Sequence, residues 1–349
     1  MKRLLVYFSV LVGCLFVGLT TYYMVKDYDE FVVYKKDGTA IGISADSDFY
    51  MNVGETEELK AVVNKQSEDT EVLYTFDTEG VATYDLATGT LTAVKGGTTK
   101  LKIYTNKDSL GFYEFDISVG DGSDNSGWII KSEEDLKAIG SVREYAAGNA
   151  VWELSDTYEL HNDIELTGEW TPIAGNFVGS QLQYFTGKFK GNQYTIKNLT
   201  MTQDNYYGGL FGAIGEMAEI TSLKLDNVNI SGYYYYCGAL AGLSEGATID
   251  RVQVTNAKIT AKACTTLNKL TFIKGFDEEG KPITAIQDEN NIGGLVGLNR
   301  GYISGSMINH SKISLSTFSG TIIVAVTNDV ETYYSLGGIV GYNLGGEIH

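Results

Sequence analysis

The stretch NIGGLVGLNRGYISGS, residues 291–306, decides how this chain is read. A glycine-rich run of this kind is a phosphate-cradling loop, a flexible linker or a packing device. A phosphate loop would show G-x-G-x-x-G opening a helix, or G-x-x-x-x-G-K-[ST]; neither is present, and no helix-like segment follows. A linker would lie among polar residues, whereas Ile292, Leu295, Val296 and Leu298 interleave with these glycines. The phrase also recurs. GGLFGAIGEMAEITSLKLDNVNISG begins at Gly208, GALAGLSEGATIDRVQVTNAKITA at Gly238, GGLVGLNRGYISGSMINHSKISLS at Gly293 and GGIVGYNLGGEIH at Gly337, with starts 30, 55 and 44 residues apart. The longer intervals contain insertions at 262–290 and 317–335. Constant cores with variable insertions are the pattern of a solenoid whose coils stack and whose loops leave from one face.

The residues after each glycine phrase alternate in the period of strands buried on one side. Ile220, Leu223, Leu225, Val228 and Ile230 do so in one line, and Ile249, Val252, Val254 and Ile259 in the next. Ile303, Met307, Ile308 and Ile313 repeat it. The expectation is a parallel β-helix in which like residues stack into apolar columns. Asn227, Asn256 and Asn309 are expected to stack at one bend. Gly209, Gly212, Gly238, Gly242, Gly294, Gly297, Gly338 and Gly341 are expected where the backbones of successive coils meet. Ahead of the repeats, KSEEDLKAIGS carries a capping signature at Ser132 and Asp135, predicting one short helix that closes the solenoid. These lines resemble the Gly-Leu-any-Gly (GLUG) repeat of bacterial surface proteins. The lead-in resembles that family's preceding coil through Trp170, Pro172, Phe185, Gly187, Phe189, Gly191, Tyr194, Ile196 and Leu199. The family includes adhesins and the non-catalytic regions of IgA1-specific zinc metallopeptidases.

From residue 40 to 119 the chain reads as about seven short strands with turns between them, an all-β sandwich pattern. VGETEELKAVV, EGVATYDLATGTLTAVKGGTTKLKIYT and FDISV resemble the bacterial immunoglobulin-like domain, group 2. Val53, Gly54, Val81, Ala82, Asp85, Thr88, Gly89, Gly97 and Thr98 occupy that family's positions. The resemblance implies an extracellular spacer or adhesion module without catalysis. The expected plan is therefore an N-terminal membrane segment over 1–26, the sandwich over 40–119, a hydrophilic linker over 120–127 and the β-helix over 128–349.

The N-terminal expectation rests on Lys2 and Arg3 followed by a 22-residue apolar run, 4–25, close to the ~20 residues that cross a bilayer as a helix. With no small-x-small cleavage site, it reads as an uncleaved signal anchor of a single-pass bacterial membrane protein, bulk outside. A competing reading takes LVGC, ending at Cys14, as a lipobox. Cys237 and Cys264, 27 residues apart, form neither a disulfide framework nor a metal spacing; buried thiols or one bridge remain open.

Net charge is −18, with −8 over 40–119 and −9 over 128–349, so no basic stripe favours nucleic acid. His161, His310 and His349 do not form His-Glu-x-x-His, and no G-x-S-x-G occurs. Asp226, Asp250 and Arg251 read as solvated charges of a coil surface. No metal or cofactor is expected. Binding is hinted at by tyrosines placed immediately before the glycine phrases: Tyr206 and Tyr207, Tyr233, Tyr234, Tyr235 and Tyr236, and Tyr333 and Tyr334. Stacked, they form an aromatic strip for a sugar or protein partner, or else fill the core. The expected function is a non-enzymatic, membrane-anchored surface protein presenting an adhesive surface to a glycan or matrix protein. The alternative is the non-catalytic N-terminal region of a larger exported enzyme. GGEIH ends mid-repeat, so the solenoid is expected to continue past His349.

Overall fold

A computed structural model of the chain describes residues 30–41, 48–64, 69–262, 271–276, 282–286, 289–316, 326–327, 330–331 and 333–349. The expected membrane segment, Cys14 and Cys264 lie outside these residues. Among the described residues no helix is long and apolar enough to cross a membrane. The fold is mostly β, and it divides into two compact units: one up to Gly120 with Tyr145–Gly148, the other Asp121–Glu144 and Asn149–His349.

The first unit holds two four-stranded sheets about one core. One sheet takes Glu30–Lys35, Thr56–Asn64, Thr90–Ala93 and Ala82–Asp85; the other takes Phe49–Asn52, Phe112–Gly120, Gly97–Thr105 and Val72–Phe76. Glu30–Lys35 precedes residue 40, where the sandwich was expected to begin, and it pairs antiparallel along its whole length with Thr56–Asn64. Alternate residues of the facing sheets, including Leu59, Leu91, Leu101, Ile103 and Phe115, are buried to 1% exposure or less. At the central turn Asp85 accepts from the Ala87 N–H at 2.9 Å and the Thr88 hydroxyl at 2.8 Å. Those bonds, that from Thr88 foremost, hold its carboxyl below the usual range.

The second unit opens with Asp121–Ser126, expected as a linker. It is a hydrogen-bonded turn, with the Asp121 N–H donating to the Ser126 carbonyl at 2.8 Å. The strands that follow form five parallel ladders, so each complete coil has five faces. The coil from Glu219 runs Glu219–Thr221 (face 1), Lys224–Asp226 (face 2), Asn229–Tyr233 (face 3), Tyr236–Cys237 (face 4) and Ala241–Ser244 (face 5). It then returns to face 1 at Thr248–Asp250. Among the described residues face 1 holds seven strands, face 2 five, and faces 3, 4 and 5 four each. This is a β-helix-like architecture.

The alternation read in the sequence becomes columns. On face 1, Trp128, Tyr158, Phe189, Ile220, Ile249, Ile303 and Ile348 are in register across seven strands. All but the last are buried, Ile348 being 43% exposed. Face 2 stacks Ile164, Ile196, Leu225, Val254 and Ile308 in the same way. Large rings fill the first coils and branched aliphatics the later ones.

Between faces 2 and 3 the chain turns through the left-handed region at Asn198, Asn227, Asn256 and His310, with φ of 64, 55, 54 and 49°. Asparagine and histidine tolerate that region better than most residues. The expected Asn227–Asn256–Asn309 column is therefore corrected by one residue: Asn309 pairs with Thr255, and His310 takes the corner. Only Asn227 donates to the preceding amide, Asn198, at 2.8 Å; Asn256 donates to Asp226 instead, also at 2.8 Å.

The predicted helix is Glu133–Ala138. Ser132 caps it by accepting from the Asp135 N–H at 3.2 Å, and Asp135 in turn accepts from the Lys131 N–H at 3.0 Å. Asp135 is buried and accepts from Arg143 at 2.9 Å. Replacing Asp135 by alanine removes half of the capping pair and the nearer carboxylate of a partly buried guanidinium, which keeps Glu134 at 3.8 Å. The expected loss is about 2–3 kcal/mol, discounted because Arg143 keeps some solvent. Urea unfolding of the variant beside Arg143→Ala, with the double variant closing the cycle, checks it.

Candidate functional site

The corner between faces 3 and 4 is where the coils differ most. In the coil from Glu219 it is short, Asn229–Tyr233 passing directly to Tyr236–Cys237. In the next coil the chain leaves after Lys258–Lys262 and returns at Glu289–Gly293, and between them lies the antiparallel hairpin Thr271–Phe276 with Pro282–Ile286. In the following coil it leaves after Lys312–Ser316 and returns at Tyr333–Gly337, with a second hairpin, Val326–Thr327 with Val330–Glu331. Both insertions thus depart from the same corner of successive coils.

The tyrosines stand at this corner, and the structure places them unequally. Tyr234 and Tyr235 are fully buried; Tyr207 and Tyr236, in register on face 4, are each 7% exposed. Tyr206 and Tyr233 are half-buried. Tyr234 donates to the Gln203 carbonyl at 2.9 Å. Tyr206 stacks on Tyr235 with ring centroids 5.7 Å apart, and Tyr207 lies 5.8 Å from Tyr236. This aromatic cluster includes Ala213, Leu243 and Leu298 of face 5. The hairpin Phe177–Val178 with Gln181–Leu182 brings Phe177 and Leu182 against it. Burial raises the Tyr207 and Tyr234 hydroxyls and the Cys237 thiol well above their usual pKa values, desolvation being the leading cause in each.

In register, the tyrosines do not follow one another from coil to coil. Asn291 takes the register position of Tyr236 in the next coil, and Asn290 that preceding it. Tyr333 and Tyr334 pair in register with Glu289 and Asn290. The structure therefore brings Tyr206, Tyr207, Tyr235 and Tyr236 together and separates them from Tyr333 and Tyr334 by one coil. Sequence reading missed the covering hairpin at Phe177, because its packing partners lie about thirty residues and more away.

The glycines expected at coil contacts are steric. A Cβ on Gly209 would lie 2.6 Å from the Gly238 carbonyl oxygen, one on Gly238 2.4 Å from that of Leu295, and one on Gly212 2.6 Å from that of Ala174. On Gly242 it would lie 2.7 Å from the Tyr236 oxygen, on Gly297 2.5 Å from the Cys237 nitrogen, and on Gly341 2.6 Å from the Ile292 nitrogen. Gly294 is as closely confined by the Gly338 oxygen. Gly338 itself has nothing within 4 Å.

Asp226 and Asp250 stand on different faces. Asp226 accepts from Thr255 and Asn256, Thr255 foremost among the causes that lower its pKa, while Arg251 is paired with Asp250 at 2.5 Å. Among the described residues no group of three His, Cys, Asp or Glu is disposed to hold a metal ion. Near the capping helix a cavity of about 600 Å³ is floored by Leu136, Leu154, Trp170 and Ile173, with Lys137 and Glu169 among the residues lining it.

No family model matches the chain, and no solved structure matches it. Among curated proteins, a Gly-rich membrane protein of Evansella cellulosilytica is 32% identical over 162 residues, 44% of this chain and 17% of that protein. Halomucin of Haloquadratum walsbyi is 28% identical over 193 residues, 53% of this chain and 2% of halomucin. The chain thus spans less than a fifth of either relative's length.

Proposed function

We propose that this chain is a non-enzymatic, membrane-anchored surface protein: an immunoglobulin-like spacer followed by a β-helix of GLUG-type repeats that presents a binding edge to a glycan or matrix protein. The observation that carries the reading is the shared corner of the two hairpin insertions. A rigid solenoid that sends its variable segments out from one corner of successive coils is organised as a recognition surface, since variable loops on a fixed scaffold are where binding residues concentrate. The half-buried Tyr206 and Tyr233 adjoin that corner and offer rings at low entropic cost. The names of the two relatives, a Gly-rich membrane protein and halomucin, support a membrane or surface setting for the chain. The anchor is the apolar run 4–25, with Cys14 as the lipid-attachment alternative.

The test uses intact bacterial cells expressing the full chain, probed with glycan and matrix-protein arrays and with external protease. Protease should remove the β-helix from intact cells, and cells should bind at least one array class. A Tyr206→Ser/Tyr233→Ser variant that remains folded by circular dichroism should bind about tenfold or more weakly, as loss of two interface aromatics predicts. Protection from protease, or binding unchanged in the variant, would remove the surface reading or the tyrosine edge respectively.

A further inference from the structure

We infer that face 3 of the β-helix is a docking surface for a linear acidic polysaccharide lying along the solenoid axis. The assignment rests on the reading of the chain as a surface-displayed binding module and names the class of ligand it takes.

The argument begins with charge. The chain carries 44 acidic and 26 basic residues, yet none of the four strands of face 3 contains an aspartate or glutamate: Thr200–Met201, Asn229–Tyr233, Lys258–Lys262 and Lys312–Ser316. Lys258 and Lys312 are in direct register on adjacent coils and both are exposed. Neither has a carboxylate partner among the described residues. Several cations elsewhere on this unit do: Lys188 lies 3.0 Å from Asp124, Lys190 2.8 Å from Glu159, Lys197 3.4 Å from Asp163 and Arg300 2.5 Å from Glu245.

Two lysines stacked one strand apart, about 4.8 Å in backbone spacing, repel each other, and like charges opposite one another destabilise a sheet. Fold stability gives no reason for the arrangement. Lys190, next to Glu159 in register on face 1, has the stabilising alternative. A bound anion spanning the two ammonium groups turns the repulsion into attraction. The row of positions runs across coils, hence along the axis, and in the preceding coil it is continued by the exposed amide of Asn229. A ligand that follows such a row is a chain with anionic groups spaced along it. Tyr233, half-buried at the end of its face 3 strand, adds a ring surface suited to sugars. The acidic remainder of the surface repels polyanions, so contact elsewhere is disfavoured.

The full chain in non-ionic detergent is immobilised and exposed to polygalacturonate, chondroitin sulfate, neutral amylose and phosphatidylglycerol vesicles. Wild type should bind the two acidic polymers, more weakly as salt rises, and leave amylose unbound. Lys258→Gln/Lys312→Gln should weaken that binding about tenfold or more, as for charge-assisted contacts. The paired-lysine control Lys188→Gln/Lys190→Gln should not. Equal loss in the control, binding to vesicles alone, or no polyanion binding overturns the inference. Binding of neutral glycans or matrix proteins without polyanions would overturn it while leaving the module reading intact; absence of all binding would end both.

Discussion

Replacing Gly297 by alanine is expected to be among the most damaging single methyl additions in this protein. Its Cβ would sit 2.5 Å from the Cys237 nitrogen, 2.6 Å from the Gly242 oxygen and 2.7 Å from the Asn291 oxygen. All three are backbone atoms of hydrogen-bonded ladders, so no side chain can rotate away. Relief requires two coils to move apart, which breaks parallel pairing between Ala241–Ser244 and Val296–Asn299. Overpacking typically costs about 1–3 kcal/mol and occasionally more, and with only backbone atoms in the way the upper end of that range is expected here. Gly338→Ala is the internal control: with no atom within 4 Å, it should be neutral or stabilising by up to ~1 kcal/mol through lost unfolded-state entropy. Urea unfolding followed by far-UV circular dichroism separates the two. Equal midpoints for the two variants would show that the glycine phrase is not steric.

Phe211→Ala tests the other half of the architecture, the bore. Phe211 is fully buried on face 5, with its ring 4.9 Å from Phe185 and 5.6 Å from Phe189. Phe185 in turn lies 6.0 Å from Tyr158, so a continuous series of rings fills the first coils. Truncation leaves a cavity between coils whose backbones are tied by hydrogen bonds and cannot collapse, and a loss of about 3–5 kcal/mol is expected. Phe211→Leu, which keeps most of the volume, should lose less than ~1.5 kcal/mol. Hydrogen exchange should report the damage in the coils around Phe211 first, because each coil of a solenoid contacts only its neighbours. Uniform loss of protection across the β-helix would contradict that nearest-neighbour picture.

Several features were legible from residue order alone because they are local or periodic. Alternation at Ile220, Leu225 and Ile230 specified one-sided strands, and the repeat of the glycine phrase specified coils. The capping pair Ser132 and Asp135 marked a real helix end. The Asn309 error arose at the one corner where histidine replaces asparagine: identity suggested Asn309, but the left-handed turn is set by position in the coil, and His310 holds it.

The tyrosines show the limit most plainly. Their positions before the glycine phrases were visible in the sequence, and so was their expected meeting on one edge. Whether each ring faces solvent depends on Phe177 and Leu182 of a distant hairpin, and on Asn291 where a tyrosine would continue the column. The sequence by itself determined the strand period, the coil boundaries and the need for glycine, since these follow from backbone geometry repeated along the chain. Only the tertiary structure decided which tyrosines are covered, that both insertions share a corner, and that Lys258 stands in register with Lys312 with no carboxylate partner among the described residues. Those are relations between residues 29 to 55 apart in the chain, joined by the hydrogen-bond register between coils rather than by any local preference.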